Sequence, residues 1–203
     1  MIKKISVGIM PTNCYIVYDD KFKEALVIDP GYESEEITKF IKEEELNVKY
    51  IYLTHCHFDH IMGVDWLRNE LKVPVACLDK EEDNIKDEDI TMGKDIILKE
   101  ITVVPDKIFF ENDEIQVGTL NFEIIHTPGH TSGSSCLYGN GILISGDTLF
   151  KGTYGRCDLP TGNLYEIKKS IKTKLFELPN DTVVYPGHGE TTTIGEEKQN
   201  EEL

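Results

Sequence analysis

Six histidines stand at three places in this chain: His55, His57 and His60; His126 and His130; and His188. Residues 54–60 read Thr-His-Cys-His-Phe-Asp-His, an HxHxDH pattern. Side chains two apart on an extended segment point the same way, so His55 and His57 can reach one metal ion together. A turn after Phe58 lets the adjacent Asp59 and His60 face a second ion a few ångströms away. Imidazole nitrogen and carboxylate oxygen suit borderline metals such as zinc, and a catalytic zinc keeps one position open for substrate or water. Two such sites need about six or seven donors, of which this motif supplies four.

The other donors are expected at the ends of strands. His126-Thr127-Pro128-Gly129-His130 follows an apolar run, and Pro128 and Gly129 make it a turn, so the two histidines are not an i,i+4 helical pair. Asp147 follows the run GILISG, and His188 sits between glycines after VVYP. All these positions lie on loops held by a scaffold, where a site can open to substrate. His126 is expected to stabilise its turn or support a ligand rather than bind metal. Cys56 should point away from its histidine neighbours and pack, and Cys157 beside Arg156 is a further thiol with no supporting spacing.

The elements that must position these residues can be read from periodicity. Strands are expected near 2–7, 13–19, 24–28, 48–53, 107–111, 113–117, 120–126, 135–138, 141–145 and 182–185. Helices are expected over 34–46, 61–71 and 164–177, the last with Leu164, Ile167, Ile171 and Leu175 on one face. The order fits an α/β fold in which two mixed β-sheets pack together with helices outside, a four-layer αββα sandwich, better than one parallel sheet. The acidic stretch 79–100 reads as a solvated helix and loop, or alternatively as a lid over the site.

At 203 residues the chain is expected to form a single domain. Ile and Val are abundant and Ala is rare, which favours strands around a substantial core. The net charge of −16 would repel a nucleic-acid backbone or an anionic membrane. Five scattered cysteines, no signal-like segment and no long apolar run predict a reduced, cytoplasmic protein without disulfides. The expected partner is a small-molecule substrate, and the oligomeric state is not legible.

HxHxDH, HTPGHTSGS, GDTLF and PGHG, in this order across nearly the whole chain, resemble the metallo-β-lactamase superfamily, and within it the compact, single-domain glyoxalase II-like hydrolases. The resemblance implies the metallo-β-lactamase fold with a dinuclear metal centre at one edge of the sheets. It implies His55, His57 and His130 on one ion, Asp59, His60 and His188 on the other, and Asp147 bridging both. The ions would be zinc, with iron or manganese as alternatives. Glyoxalase II proper continues into a helical substrate-binding domain, whereas only 15 residues follow His188 here.

Two divalent ions lower the pKa of a bridging water to near neutrality, so a metal-bridging hydroxide would attack a bound carbonyl while Asp59 orients it. No additional acid stands out, which favours a leaving group such as a thiolate, with a conjugate-acid pKa of roughly 8.5. The expected activity is therefore thioester hydrolysis of the hydroxyacylglutathione hydrolase type, on S-lactoylglutathione-like or other thiol esters, with esters and lactones as alternatives. Arg156, in a stretch similar to the glutathione-contacting segment of glyoxalase II, is a candidate substrate residue with Lys151 and Tyr154; its alternative is an ion pair with Asp158. Asp158 departs from the aromatic residue of that family. A second reading is a persulfide dioxygenase using one iron on His55, His130 and Asp147.

Overall fold

A computed structural model describes residues 1–200 of the chain. The first half runs β1 (Ile2–Val7), β2 (Thr12–Tyr18), β3 (Glu24–Ile28), α1 (Glu35–Glu43), β4 (Asn47–Leu53), α2 (Phe58–Ile61), α3 (Val64–Leu71) and β5 (Val75–Leu78). It continues through α4 (Glu88–Thr91) and α5 (Gly93–Ile97) to β6 (Lys107–Phe109). The second half runs β7 (Glu114–Val117), β8 (Leu120–His126), β9 (Ser135–Gly139), β10 (Ile142–Gly146), β11 (Leu149–Phe150) and β12 (Thr153–Tyr154). It ends with α6 (Leu164–Thr173), β13 (Val183–Pro186), β14 (Thr192–Thr193) and α7 (Ile194–Glu197).

Two six-stranded sheets form, ordered β1-β2-β3-β4-β5-β6 and β14-β13-β10-β9-β8-β7. In the first, β1 to β3 pair antiparallel and β3 to β6 parallel, with α1 and α3 providing crossovers that parallel neighbours require. The period of two along each strand divides the core into layers. In β2, Cys14, Ile16 and Tyr18 face the α1 and α3 side while Tyr15 and Val17 face the second sheet; in β3, Ala25 and Val27 oppose Leu26 and Ile28. In the second sheet Ile124, Leu137 and Ile144 meet the first sheet, and Cys136 and Leu143 pack on Ile167 and Ile171 of α6. Helix, sheet, sheet, helix is the expected αββα sandwich.

Several boundaries differ from expectation for local reasons. The helix expected over 61–71 is broken around Met62 and Gly63, because Gly63 N–H donates to Pro30 O (2.9 Å) and a Cβ there would lie 2.5 Å from the Tyr32 backbone. α1 stops at Glu43 and the chain turns through a left-handed Glu45. α6 ends at Thr173 and passes into a 3₁₀ turn, Leu175–Glu177. β5 was not expected: its four residues, VACL, are buried on both faces and show no alternation.

The acidic stretch 79–100 is not simply solvated. Glu81, Asn84, Ile85 and Thr91 are buried, because Glu81 accepts hydrogen bonds from Cys56 N–H (2.8 Å), Thr131 Oγ1–H (2.7 Å) and Asn84 Nδ2–H (2.6 Å). The segment is thereby tied to both histidine loops. Among the described residues no helix is long and apolar enough to cross a membrane, and the five cysteines are free, four of them buried.

Candidate metal centre

The loop after β4 carries His55 and His57, and the single turn of α2 carries Asp59 and His60. The turn after β8 brings His130, the end of β10 brings Asp147, and the turn after β13 brings His188. All seven meet where both sheets end. Ligand atoms of His55, His57 and His130 lie within 4.8 Å of one another, as do those of Asp59, His60 and His188. Asp147 stands between the groups, with Oδ1 3.3 Å from His60 Nε2 and Oδ2 3.5 Å from His130 Nε2 and 3.6 Å from His188 Nε2. His126 stays apart: its Nε2 bonds to Ser132 O (2.9 Å) and it closes its own turn.

The outer nitrogens fix the rings' proton positions. His60 Nδ1–H donates to Asp29 Oδ2 (2.9 Å), His130 Nδ1–H to Arg156 O (2.7 Å), and His188 Nδ1–H to Pro11 O (2.9 Å). Thr54 Oγ1 gives its own proton to Asp29 Oδ2 (2.6 Å) and so accepts from His55 Nδ1–H (3.1 Å). Each of these four rings therefore turns Nε2 inward. His130 Nε2 lies 3.2 Å from His55 Nε2, acceptor facing acceptor because burial favours the neutral form of both rings, and His60 Nε2 lies 3.3 Å from His188 Nε2. His57 turns Nδ1 to His130 Nε2 (2.8 Å), and its buried Nε2 has no hydrogen-bond partner; neither does the buried Asp147 Oδ1. Converging lone pairs with too few protons between them leave buried polar atoms uncompensated, a cost that cations between the rings and carboxylates would remove. The donor set fits divalent metal of the imidazole- and carboxylate-binding kind.

Electrostatics divides the cluster. Burial, reinforced by the neighbouring His130, pushes the His57 pKa down to about 3, and burial likewise lowers those of His55 and His130. Burial would also lower that of His60, but Asp147, Asp59 and Asp29 outweigh it and hold the ring well above its ordinary value. His188 follows the same pattern, burial being overcome by its contact with Asp59. Asp147 and Asp59 stay below the ordinary carboxylate value despite burial, because the rings around them, His60 foremost, favour the charged form. Metal coordination takes neutral rings and ionised carboxylates, so His60 and His188 would give up a proton on binding an ion, whereas His55, His57 and His130 would not.

Supporting residues absent from the sequence reading complete the site. Asp29, after β3, accepts Thr54 N–H (2.8 Å) as well as the His60 and Thr54 side chains. Although Asp29 also lies within ligand distance of His55 and His60, its oxygens are taken by these bonds, so it acts from behind the ligands. Thr12 Oγ1 reaches Asp59 Oδ2 (3.2 Å) and Met10 O (3.0 Å). Gly187 leaves the room that Asp147 occupies, since a Cβ there would lie 2.2 Å from Asp147 Oδ1. The sequence signals were faint: Asp29 sits in an ordinary-looking Asp-Pro-Gly turn, and Thr12 starts a strand.

A cavity of about 310 Å³ opens over the cluster. His57, Asp59, His130, Asp147 and His188 form its floor, and Met10, Phe58, Met92, Ile96, Phe150 and Leu159 most of its wall. Among the described residues Arg156 is the one Lys or Arg on that wall, and its Nε and Nη2 fork onto Asp158 at 2.8 Å each. Lys151 pairs with Glu190 (2.8 Å) and Tyr154 lies beneath Lys168; neither borders this cavity. Cys157 is half-buried, with Sγ on Gly155 O (3.2 Å).

This fold and this constellation define a class, and the comparisons agree: the chain belongs to the metallo-β-lactamase superfamily, whose family model matches residues 7–188. Among individual relatives, it is 37% identical to a probable metallo-hydrolase, YqgX, of Bacillus subtilis, over 98% of this chain and 95% of that one. It is 35% identical to the hydroxyacylglutathione hydrolase GloC of Haemophilus influenzae, with the same coverage. Among solved structures, the B3 metallo-β-lactamase BLEG-1 superposes with a TM-score of 0.93 at 38% identity, over 100% of this chain and 99% of that one. TTHA1623, solved in a di-iron-bound form, superposes with a TM-score of 0.85 at 31% identity, over 98% of each chain.

Proposed function

We propose that this protein is a dinuclear metallo-hydrolase of thioesters, with His55, His57 and His130 holding one ion, Asp59, His60 and His188 the other, and Asp147 reaching both. The observation that carries this reading is the convergence of inward ring nitrogens and ionised carboxylates on one point, with the outer nitrogen of four rings already donating to oxygen. When bound, the ions would supply Lewis acidity and an activated water.

The chain's own residues do the rest. Asp59, steadied by the Thr12 hydroxyl, turns Oδ2 toward the His188 side of the cluster, where it can orient the attacking water. Phe58 and Phe150 shield the floor from bulk solvent, which strengthens every charge interaction there. The wall combines apolar side chains with one arginine already paired to Asp158, so the leaving group must depart with little protonation. A thiolate does so, its conjugate acid having a pKa of roughly 8.5. The name of the Haemophilus influenzae relative supports the same bond type.

The test is purification without added metal, elemental analysis, and assay of glutathione thioesters, other thioesters, lactones and a β-lactam. Two metal equivalents per chain with thioesters as the best substrates are expected. One iron per chain with oxygen uptake on glutathione persulfide would replace this reading with the dioxygenase one, and full activity without metal would end both.

A further inference from the structure

The cavity over the metal cluster continues into a second, smaller one of about 200 Å³ that shares Met10, Phe58, Asp59 and Ile96 with it. From Asp59 outward, this arm is bounded by Gly8, Ile9, Met10, Met62, Ile96 and Ile97. Among the described residues Asp59 is the sole charged side chain on it. Three of these residues, Ile9, Met10 and Ile96, are 82%, 45% and 48% exposed, an apolar rim on a chain of net charge −16. An apolar pocket edge left in water beside a reactive centre marks a ligand-binding surface. Left-handed Met92 and Leu98 bracket α5, which presents Ile96 and Ile97 to this arm.

We infer that this second arm is an acyl-chain subsite: the substrate is a thioester of an apolar, straight-chain acyl group whose hydrocarbon lies between the Gly8–Met10 turn and α5. This rests on the thioesterase reading given above. A thioester has two arms, and biological thiol carriers are polar and ionised, whereas the acyl group can be wholly hydrocarbon. The larger opening beside Arg156 therefore suits the thiol, and the smaller apolar arm suits the acyl chain. A carbonyl carbon at the cluster floor leaves the acyl chain to run past Phe58 into this arm. The preference predicts that S-lactoylglutathione, with its short hydroxylated acyl group, is a poor substrate.

Two measurements on the metal-loaded protein decide the matter. Thioesters of N-acetylcysteamine from acetyl to octanoyl should show kcat/KM rising about fourfold per methylene, the equivalent of ~0.8 kcal/mol, until the arm is full. Equilibrium binding of neutral amides from acetamide to octanamide should follow the same gradient without any chemistry. Ile96→Asn and Ile9→Asn, at exposed rim positions that the fold tolerates, should each cut the octanamide-to-acetamide affinity ratio about tenfold. Amide affinities independent of chain length, with thioester hydrolysis intact, would overturn the subsite and leave the thioesterase. Length-dependent amide binding without thioester hydrolysis would uphold the subsite and overturn the thioesterase. A gradient unchanged by either rim variant would place the hydrocarbon elsewhere and overturn the assignment.

Discussion

Asp29 and His60 are joined by a 2.9 Å hydrogen bond between two fully enclosed side chains, one at the end of β3 and the other on the single turn of α2. The bond fixes the His60 ring with Nε2 inward. The same carboxylate holds the Thr54 backbone and hydroxyl, so one residue sets the direction of His60 and, through Thr54, that of His55.

Asp29→Asn should therefore weaken metal binding about 10- to 100-fold while leaving the seven candidate ligands in place, the usual cost of losing an outer partner. Competition with a chromophoric chelator measures it. Unchanged affinity would mean that the ring orientations are set elsewhere.

Without metal, His60 and His188 keep their protons to higher pH than ordinary histidines, whereas a ligand must be neutral. Metal binding near neutral pH should thus release protons, and affinity should rise with pH through the range in which these two rings titrate. Calorimetric titration in buffers of different ionisation enthalpy reads the protons released. A buffer-independent heat would contradict the assignment of these rings as ligands.

Gly187→Ala should cut activity by about 10²-fold, because the new Cβ would fall 2.2 Å from Asp147 Oδ1 and 2.7 Å from His60 Cε1, and a displacement of about 1 Å at a reacting site has that effect. Gly189→Ala, two residues on, meets open space but a φ of +77°, so its cost should be backbone strain of about 1 kcal/mol with metal content retained. Metal analysis and thermal melting of the pair separate the two effects.

Asp158→Ala removes the partner of an exposed, solvent-screened ion pair, so stability should hardly change. It also frees the Arg156 fork for a substrate carboxylate. KM for glutathione thioesters should fall several-fold, and KM for uncharged thioesters should not move. An equal change for both would remove Arg156 from substrate recognition.

Much of this was legible in the sequence because strands and metal ligands both obey short-range rules. The alternation in β2 and the apolar run of β4 identify sheet positions, and the HxHxDH spacing places four donors on adjoining turns. β5 was invisible because VACL is buried on both faces and carries no alternation. Asp29 and Glu81 were invisible for another reason. A buried carboxylate that accepts hydrogen bonds differs from a solvated one by what the rest of the chain brings to it, and apart from Asn84, three residues from Glu81, their partners lie 25 to 50 residues away. Arg156 is the mixed case: the residue was singled out for its guanidinium, but it is its backbone carbonyl that orients His130.

The centre joins residues far apart in the chain, His57 to His130 across 73 positions and His60 to His188 across 128. During synthesis from the N-terminus, β1 to β4 and the entire HxHxDH motif exist well before the last ligand is made. On the proposed assignment the early histidines would hold an ion only loosely in that interval, and the remaining donor arrives when β13 pairs with β10. On the proposed ligand assignment, metal would be committed only at the end of folding, so a chain that stalls before residue 188 would carry an incomplete centre rather than a misplaced active one.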